Sequence, residues 1–128
     1  MISIAMPFKN SAAFIAETLR SLQAQSYVQW ELLAIDDHSS DKSKEILLDF
    51  AQDDSRIRVF TNSGQGILPA LNQALEIAQG TFFCRLDSDD LWPENHLALF
   101  IAQLKISPPR TLVTGLVKYF GASVSVGY

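Results

Sequence analysis

Alternation is what most restricts the fold of this chain. The short apolar runs ISIAMP, WELLAI, RIRVF and TFFCRL are each followed by a stretch whose apolar residues recur at helical spacing. After the first run, Ile15, Leu19 and Leu22 share one helical face behind a cap at Asn10 or Ser11. After the second, Ile46, Leu47 and Phe50 do so behind Ser40 or Asp41. A third helix is expected over Pro69–Gln79, stopped by Gly80, and a fourth from about Glu94 to Leu104. Beyond the breaker SPP, TLVTGLVKYF reads as a fifth strand. Strands joined by helical crossovers lie parallel, because only a crossover returns the chain to start a parallel neighbour. WELLAI is apolar almost throughout, as a strand covered on both faces must be. The expected fold class is therefore α/β: a doubly wound, mostly parallel sheet with helices on both faces.

Composition narrows the function. With 128 residues, 48% of them hydrophobic and 19% charged, the chain can bury one real core. A net charge of -4 and a pI near 5.0 argue against a nucleic-acid or anionic-membrane surface, which require basic stripes. The single cysteine, Cys84, permits no disulfide framework and no cysteine-based zinc site, and its apolar neighbours point to a buried, inert thiol. MISIAMPFKN lacks a basic leader, and no apolar run approaches the roughly 18 residues that span a bilayer, so a cytoplasmic location is expected.

In such sheets ligands bind beyond the carboxyl ends of the strands, at the topological switch point. The polar clusters fall there: Phe8–Asn10, Asp36–Asp41, Thr61–Gly66 and Asp87–Asp90. RLDSDDLWP packs three carboxylates into one turn. Two unit charges about 5 Å apart at an effective dielectric near 20 repel by roughly 3 kcal/mol, which solvent or a cation must offset. Asp87 and Asp89 could face one divalent ion while Asp90 favours the dipole of the next helix; a solvated, helix-capping turn is the plainer alternative. Trp92 and Ala98 occupy the glycine and twelfth positions of a would-be EF-hand and exclude it. Few carboxylates with an open coordination sphere suit Mg2+ or Mn2+ carrying phosphates. Asp36 and Asp37 come too early to cap the second helix and suit a nucleotide's base or ribose. His38 and His96 have no partner histidine at ligand spacing and read as surface residues. The GQG of Gly64–Gly66 lacks the Lys-Ser/Thr of a P-loop and reads as a mobile turn.

Taken together, MPFKN, AIDDHSSDKS, NSGQGILPALNQALEIAQG and RLDSDDLWP, each in order behind its strand, resemble a family 2 glycosyltransferase of the GT-A, nucleotide-diphospho-sugar transferase-like fold. The resemblance covers roughly Ile2 to Leu104. It implies that Pro7, Phe8 and Asp37, with Asp36 beside them, hold the nucleotide base. It implies that Asp87 and Asp89 form an Asp-x-Asp motif around Ser88, the first toward the ribose and both available to Mn2+ or Mg2+. Asn72 and Arg85 match positions that line the donor site in that family. Lys9 departs from the aromatic residue often found there. The implied reaction is inverting, metal-dependent transfer from a nucleoside-diphosphate sugar, UDP-linked in first place, to a hydroxyl of a glycan, lipid or other acceptor. The protein could then work peripherally at the inner face of a membrane.

Residues 1–105 are read as the donor-binding half and 106–128 as the start of a truncated acceptor half, since no Asp or Glu follows Glu94 to serve as base. Leu116, Val117 and Phe120 would then favour self-association. Three alternatives remain at this level. A non-catalytic nucleotide-binding module needs no base. A sugar nucleotidyltransferase would want a glycine in PFKNSAAF. A phosphoacceptor receiver would carry its Asp-Asp pair after the first strand, not the second.

Overall fold

The computed structural model describes residues 1–115. It contains β1 (Ile2–Phe8), α1 (Ile15–Gln23), β2 (Trp30–Asp36), α2 (Ser43–Asp53), β3 (Ile57–Thr61), α3 (Ile67–Ile77), β4 (Phe82–Arg85) and α4 (His96–Lys105). The strands form one four-stranded sheet in the order β3-β2-β1-β4, and every pairing is parallel. The chain winds outward from β1 through β2 to β3, then returns to place β4 on the other side of β1. The switch point therefore lies between β1 and β4, and β1 and β2 are the central strands.

Alternation along the strands assigns the two faces. Ile2, Ile4, Met6 and Phe8 of β1, with Trp30, Leu32 and Ala34 of β2, pack against α1 (Ile15, Leu19, Leu22), Leu47 of α2, and Leu97 and Ile101 of α4. The intervening residues Ala5, Leu33 and Ile35 pack on the opposite face against Ala70 and Ala74 of α3. All seven residues of β2 are buried, in accord with its unbroken apolar character.

Several boundaries differ from the sequence expectation. α3 begins at Ile67, earlier than Pro69, because Gly66 turns the chain with φ 88° and Pro69 can occupy a first turn whose N–H groups need no helical acceptor. It ends at Ile77, before Gly80. Gly80 serves a different purpose: a Cβ there would lie 2.7 Å from the Met1 carbonyl oxygen and 2.7 Å from the Ser3 nitrogen, so only glycine admits the passing β1 backbone. Neither Asn10 nor Ser11 caps α1 through its side chain; the Ser11 carbonyl accepts from the Phe14 and Ile15 N–H groups instead. α2 differs in the same way: its N-cap position is Lys42, with no side-chain cap, and the expected caps Ser40 and Asp41 lie before it, Asp41 accepting from the Ser43 N–H at 2.9 Å. The fifth strand does not appear over Thr111–Gly115, and the remainder of that run, with Leu116, Val117 and Phe120, lies outside the described residues.

Candidate functional site

The loops that follow β1, β2, β3 and β4 meet at one end of the sheet around a cleft of about 380 Å³. Its walls include Pro7, Phe8, Lys9, Asp37, Gly66, Arg85, Asp87, Ser88 and Asp89. Of the residues singled out from the sequence, Asp36 and Asn72 are not in the wall. Asp36, the last residue of β2, is buried, and its Oδ1 accepts from the Ser39 N–H at 3.0 Å, which shapes the turn. Asn72 lies exposed on α3.

Strand alternation explains why the two neighbouring aspartates differ: Asp36 points into the protein, so Asp37 opens on the cleft. Asp37 Oδ1 accepts from the Gly66 N–H and from Asn62 Nδ2, each at 3.0 Å. The Gly66 hydrogen bond foremost, then Asn62 and the nearby Lys9 and His38, hold its carboxyl below the usual carboxylate range, so it presents a negative charge. The Gly64–Gly66 turn is therefore tied down to Asp37 and, through its Gly64 carbonyl, lies 3.0 Å from His38 Nε2. Sequence reasoning missed this, because GQG carries no signal for a partner that the fold brings from β2.

At the other end, Arg85 Nε donates to Asp87 Oδ1 at 2.6 Å, and the Asp90 N–H donates to the Asp87 carbonyl at 3.1 Å to close the acidic turn. The middle residue is anchored. The Ser88 hydroxyl lies 2.7 Å from that of Ser11, and its carbonyl accepts from Thr18 Oγ1 at 3.0 Å. With Ser88 held toward the protein, Asp87 and Asp89 flank the anchor and line the cleft. Asp89 is exposed and has no hydrogen-bond or ion-pair partner among the described residues. Asp90 is pushed above the usual carboxylate range, first by burial and then by the charges of Asp87 and Asp89. It stands too far before His96 to serve the α4 dipole. The described residues hold no group of three carboxylate, thiol or imidazole ligands, so a cation here would depend on oxygens supplied by a ligand.

His96 and Cys84 lie away from this cleft. His96, expected at the surface, is half-buried and stacked between Trp92 and Phe100, with ring centroids 4.3 and 4.6 Å away. Desolvation lowers its pKa. Cys84, expected to be buried, is half-buried, and burial pushes its thiol up to about 12, which disfavours the reactive thiolate.

The family model for glycosyl transferase family 2 matches residues 3–127. The chain belongs to that family. An Escherichia coli relative, UDP-Glc:alpha-D-GlcNAc-diphosphoundecaprenol beta-1,3-glucosyltransferase WfgD, is 41% identical over 81% of this chain and 41% of its own length. The Bacillus subtilis protein TuaG, named a putative teichuronic acid biosynthesis glycosyltransferase, is 37% identical over 76% of this chain and 39% of its own. The chain thus spans about two fifths of the length of these curated relatives. Among solved structures, Staphylococcus aureus TarS in complex with UDP superposes with a TM-score of 0.74 and 28% identity, over 81% of this chain and 32% of that one. The Pyrobaculum calidifontis mannosyltransferase PcManGT, in complex with GDP-Man and Mn2+, gives 0.76 and 26% identity, over 84% and 32%. This family 2 chain has the GT-A architecture, and its Asp-Asp pair stands at the end of β2 where a phosphoacceptor receiver would carry it after β1.

Proposed function

We propose that this chain is the donor-binding part of an inverting, metal-dependent glycosyltransferase acting on a nucleoside-diphosphate sugar, with UDP the preferred nucleotide. One observation carries the reading: Asp37 and the Asp87–Asp89 turn, from opposite sides of the switch point, line the same cleft. Asp37 suits the base end, where a carboxylate accepts from a ring N–H. Pro7 and Phe8 supply apolar wall beside it, and Arg85 orients Asp87 through their short ion pair. The UDP complex of TarS and the GDP-Man and Mn2+ complex of PcManGT are the relevant likenesses.

The acidic turn fits a divalent cation, because Asp89 is unpartnered among the described residues and positive charge would offset the repulsion among Asp87, Asp89 and Asp90, which adds to burial in raising Asp90. When bound, Mn2+ or Mg2+ supplies positive charge to the departing nucleoside diphosphate. Inversion also requires a base within hydrogen-bond reach of the acceptor hydroxyl. Within these 128 residues no Asp or Glu follows Glu94, and this reading assigns the carboxylates that line the cleft to the donor. Residues 1–105 are accordingly assigned to donor binding and 106–128 to the beginning of an acceptor half. A second reading for this chain by itself, a nucleotide-binding module without turnover, rests on the same cleft. The acceptor is proposed to be a hydroxyl of a glycan or lipid-linked glycan, the class named for WfgD, met by a protein lying peripherally at the membrane. No helix among the described residues is long and apolar enough to cross one.

Calorimetric titration with UDP, CDP and GDP, with and without Mn2+, tests the reading. The chain should bind UDP more tightly than CDP, by about tenfold or more, and Asp37→Ala should erase the preference. Equal affinity of the parent for UDP and CDP, unaffected by Mn2+, would remove both the base assignment and the metal.

A further inference from the structure

Asn62 directly follows the last residue of β3, and its backbone N–H donates to the Asp36 carbonyl at 2.8 Å, extending the parallel pairing by one step. Its side chain turns inward and is 2% exposed. Both ends of the carboxamide are used. Nδ2 donates to Asp37 Oδ1 and to the Gly66 carbonyl, each at 3.0 Å, while Oδ1 accepts from the Gly64 N–H at 3.0 Å. This network permits one orientation of the amide: flipped, its oxygen would face two acceptors and its nitrogen a donor. A buried asparagine fully satisfied in this way specifies the geometry around it.

What it specifies is the Asp37 carboxylate. Oδ1 takes the Asn62 amide and the Gly66 N–H, and these two donors fix the plane of the carboxyl group. Gly66 reaches it only by virtue of its backbone. Its φ of 88° turns the chain into α3 directly behind that N–H, and a Cβ there would meet nothing within 4 Å, so the requirement is for the dihedral and not for space. Oδ2 has no partner among the described residues and remains for a ligand.

Resting on the base-end reading above, we infer that Asn62 is a positioning residue for nucleobase recognition. By occupying Asp37 Oδ1 it leaves Oδ2 as the single acceptor in a set direction. Such an acceptor selects a base whose ring nitrogen carries hydrogen, as in uracil N3–H or guanine N1–H, and disfavours cytosine, whose N3 is itself an acceptor. The charged groups that face Asp37 are Lys9 and His38, both of which favour its ionised form. They lend charge without direction; Asn62 and Gly66 supply the direction.

The test begins with the nucleotide-free parent chain. In a carbon-13 and nitrogen-15 NMR titration, the Asn62 side-chain amide should shift with the same midpoint as the Asp37 carboxyl carbon, and that midpoint should lie below the ordinary Asp value. An Asn62 amide that ignores the Asp37 titration would overturn the proposal without any variant having to fold. In Asn62→Ala and Asn62→Ser, with Asp87 and Asp89 untouched, the Asp37 midpoint should rise. The preference for UDP over CDP should fall about tenfold, while the dependence on Mn2+ persists. Folded variants that keep the parent's Asp37 midpoint and preference would also overturn it. A parent that binds UDP and CDP equally yet shows the linked titration would sink the base-end reading, and with it the role of Asn62 in recognition, while leaving the hydrogen bond itself confirmed.

Discussion

At the residue scale the site is made of a few side chains whose neighbours decide their roles. Asp36 and Asp37 are identical in chemistry and adjacent in sequence, yet one is buried in a turn and the other lines the cleft. Asp89 is exposed and unpartnered among the described residues, so replacing it removes repulsion and no packing. Asp89→Ala is therefore expected to abolish Mn2+-dependent nucleoside-diphosphate affinity while leaving the thermal midpoint unchanged or slightly raised. Calorimetry and a melt check both, and metal-dependent affinity equal to the parent's would show that Asp89 does not hold the ion. The Asp36–Asp37 pair, Asp87 and Asp89 stood out in the sequence because carboxylates clustered at strand ends are unusual and carry a cost. Asn62, Ser11 and Thr18 were not legible. Each is an ordinary polar residue that makes a hydrogen bond across 25 to 77 positions of chain.

At the element scale the joints carry the information. Gly80 lets the segment entering β4 pass against β1, and its N–H donates to Ser3 Oγ at 2.8 Å, beside the buried Glu31 that accepts from Ser3, Gln79 and Arg58. Gly80→Ala forces a Cβ against backbone and should destabilise the fold by about 1–3 kcal/mol, read as a lower urea midpoint. An unchanged midpoint would mean that the two segments do not pass so closely. A second joint links α1 to the α2–β3 turn. Asp54 accepts from Arg56 through Nε at 2.9 Å and a terminal nitrogen at 2.8 Å, and from Gln23 Nε2 at 3.1 Å. The Arg56 hydrogen bonds, foremost among its contacts, hold Asp54 down from 3.8 to about 2. A carboxyl depressed in the folded state adds stability in full above its ordinary pKa and loses it as pH falls through the folded one. Some of the stability, on the order of 1–2 kcal/mol after allowance for screening, should therefore disappear between about pH 4 and 2. Asp54→Asn should flatten that limb of the stability profile, whereas an identical acid limb in parent and variant would assign the loss elsewhere.

At the scale of the whole molecule, the chain is a sheet with the loops that line the cleft gathered at one end, and it spans about two fifths of its relatives' length. We expect these 128 residues to bind nucleotide without transferring sugar when donor, Mn2+ and acceptor are supplied. General-base assistance is commonly worth about 10² to 10⁴ in rate, and an unheld acceptor forfeits several kcal/mol of positioning besides. A paired assay against a longer version carrying an acceptor half checks this, and comparable transfer by both would place the base among the aspartates assigned to the donor. Phe83 on β4 and Leu112 are already exposed, so sedimentation in the same experiment should show self-association that the longer version suppresses. The sequence by itself determined the α/β class, the parallel winding, the order of the helices and the acidic loops. Those features rest on local periodicity and on the rule that crossovers join parallel strands, and both are written in neighbouring residues. Only the tertiary structure decided that Asp37 and not Asp36 faces the cleft, that Asn72 lies outside it, and that Asn62 and Gly66 grip one carboxylate oxygen. The reason is physical: such roles depend on which way a side chain points once distant segments pack, and periodicity carries no record of the partner across the gap.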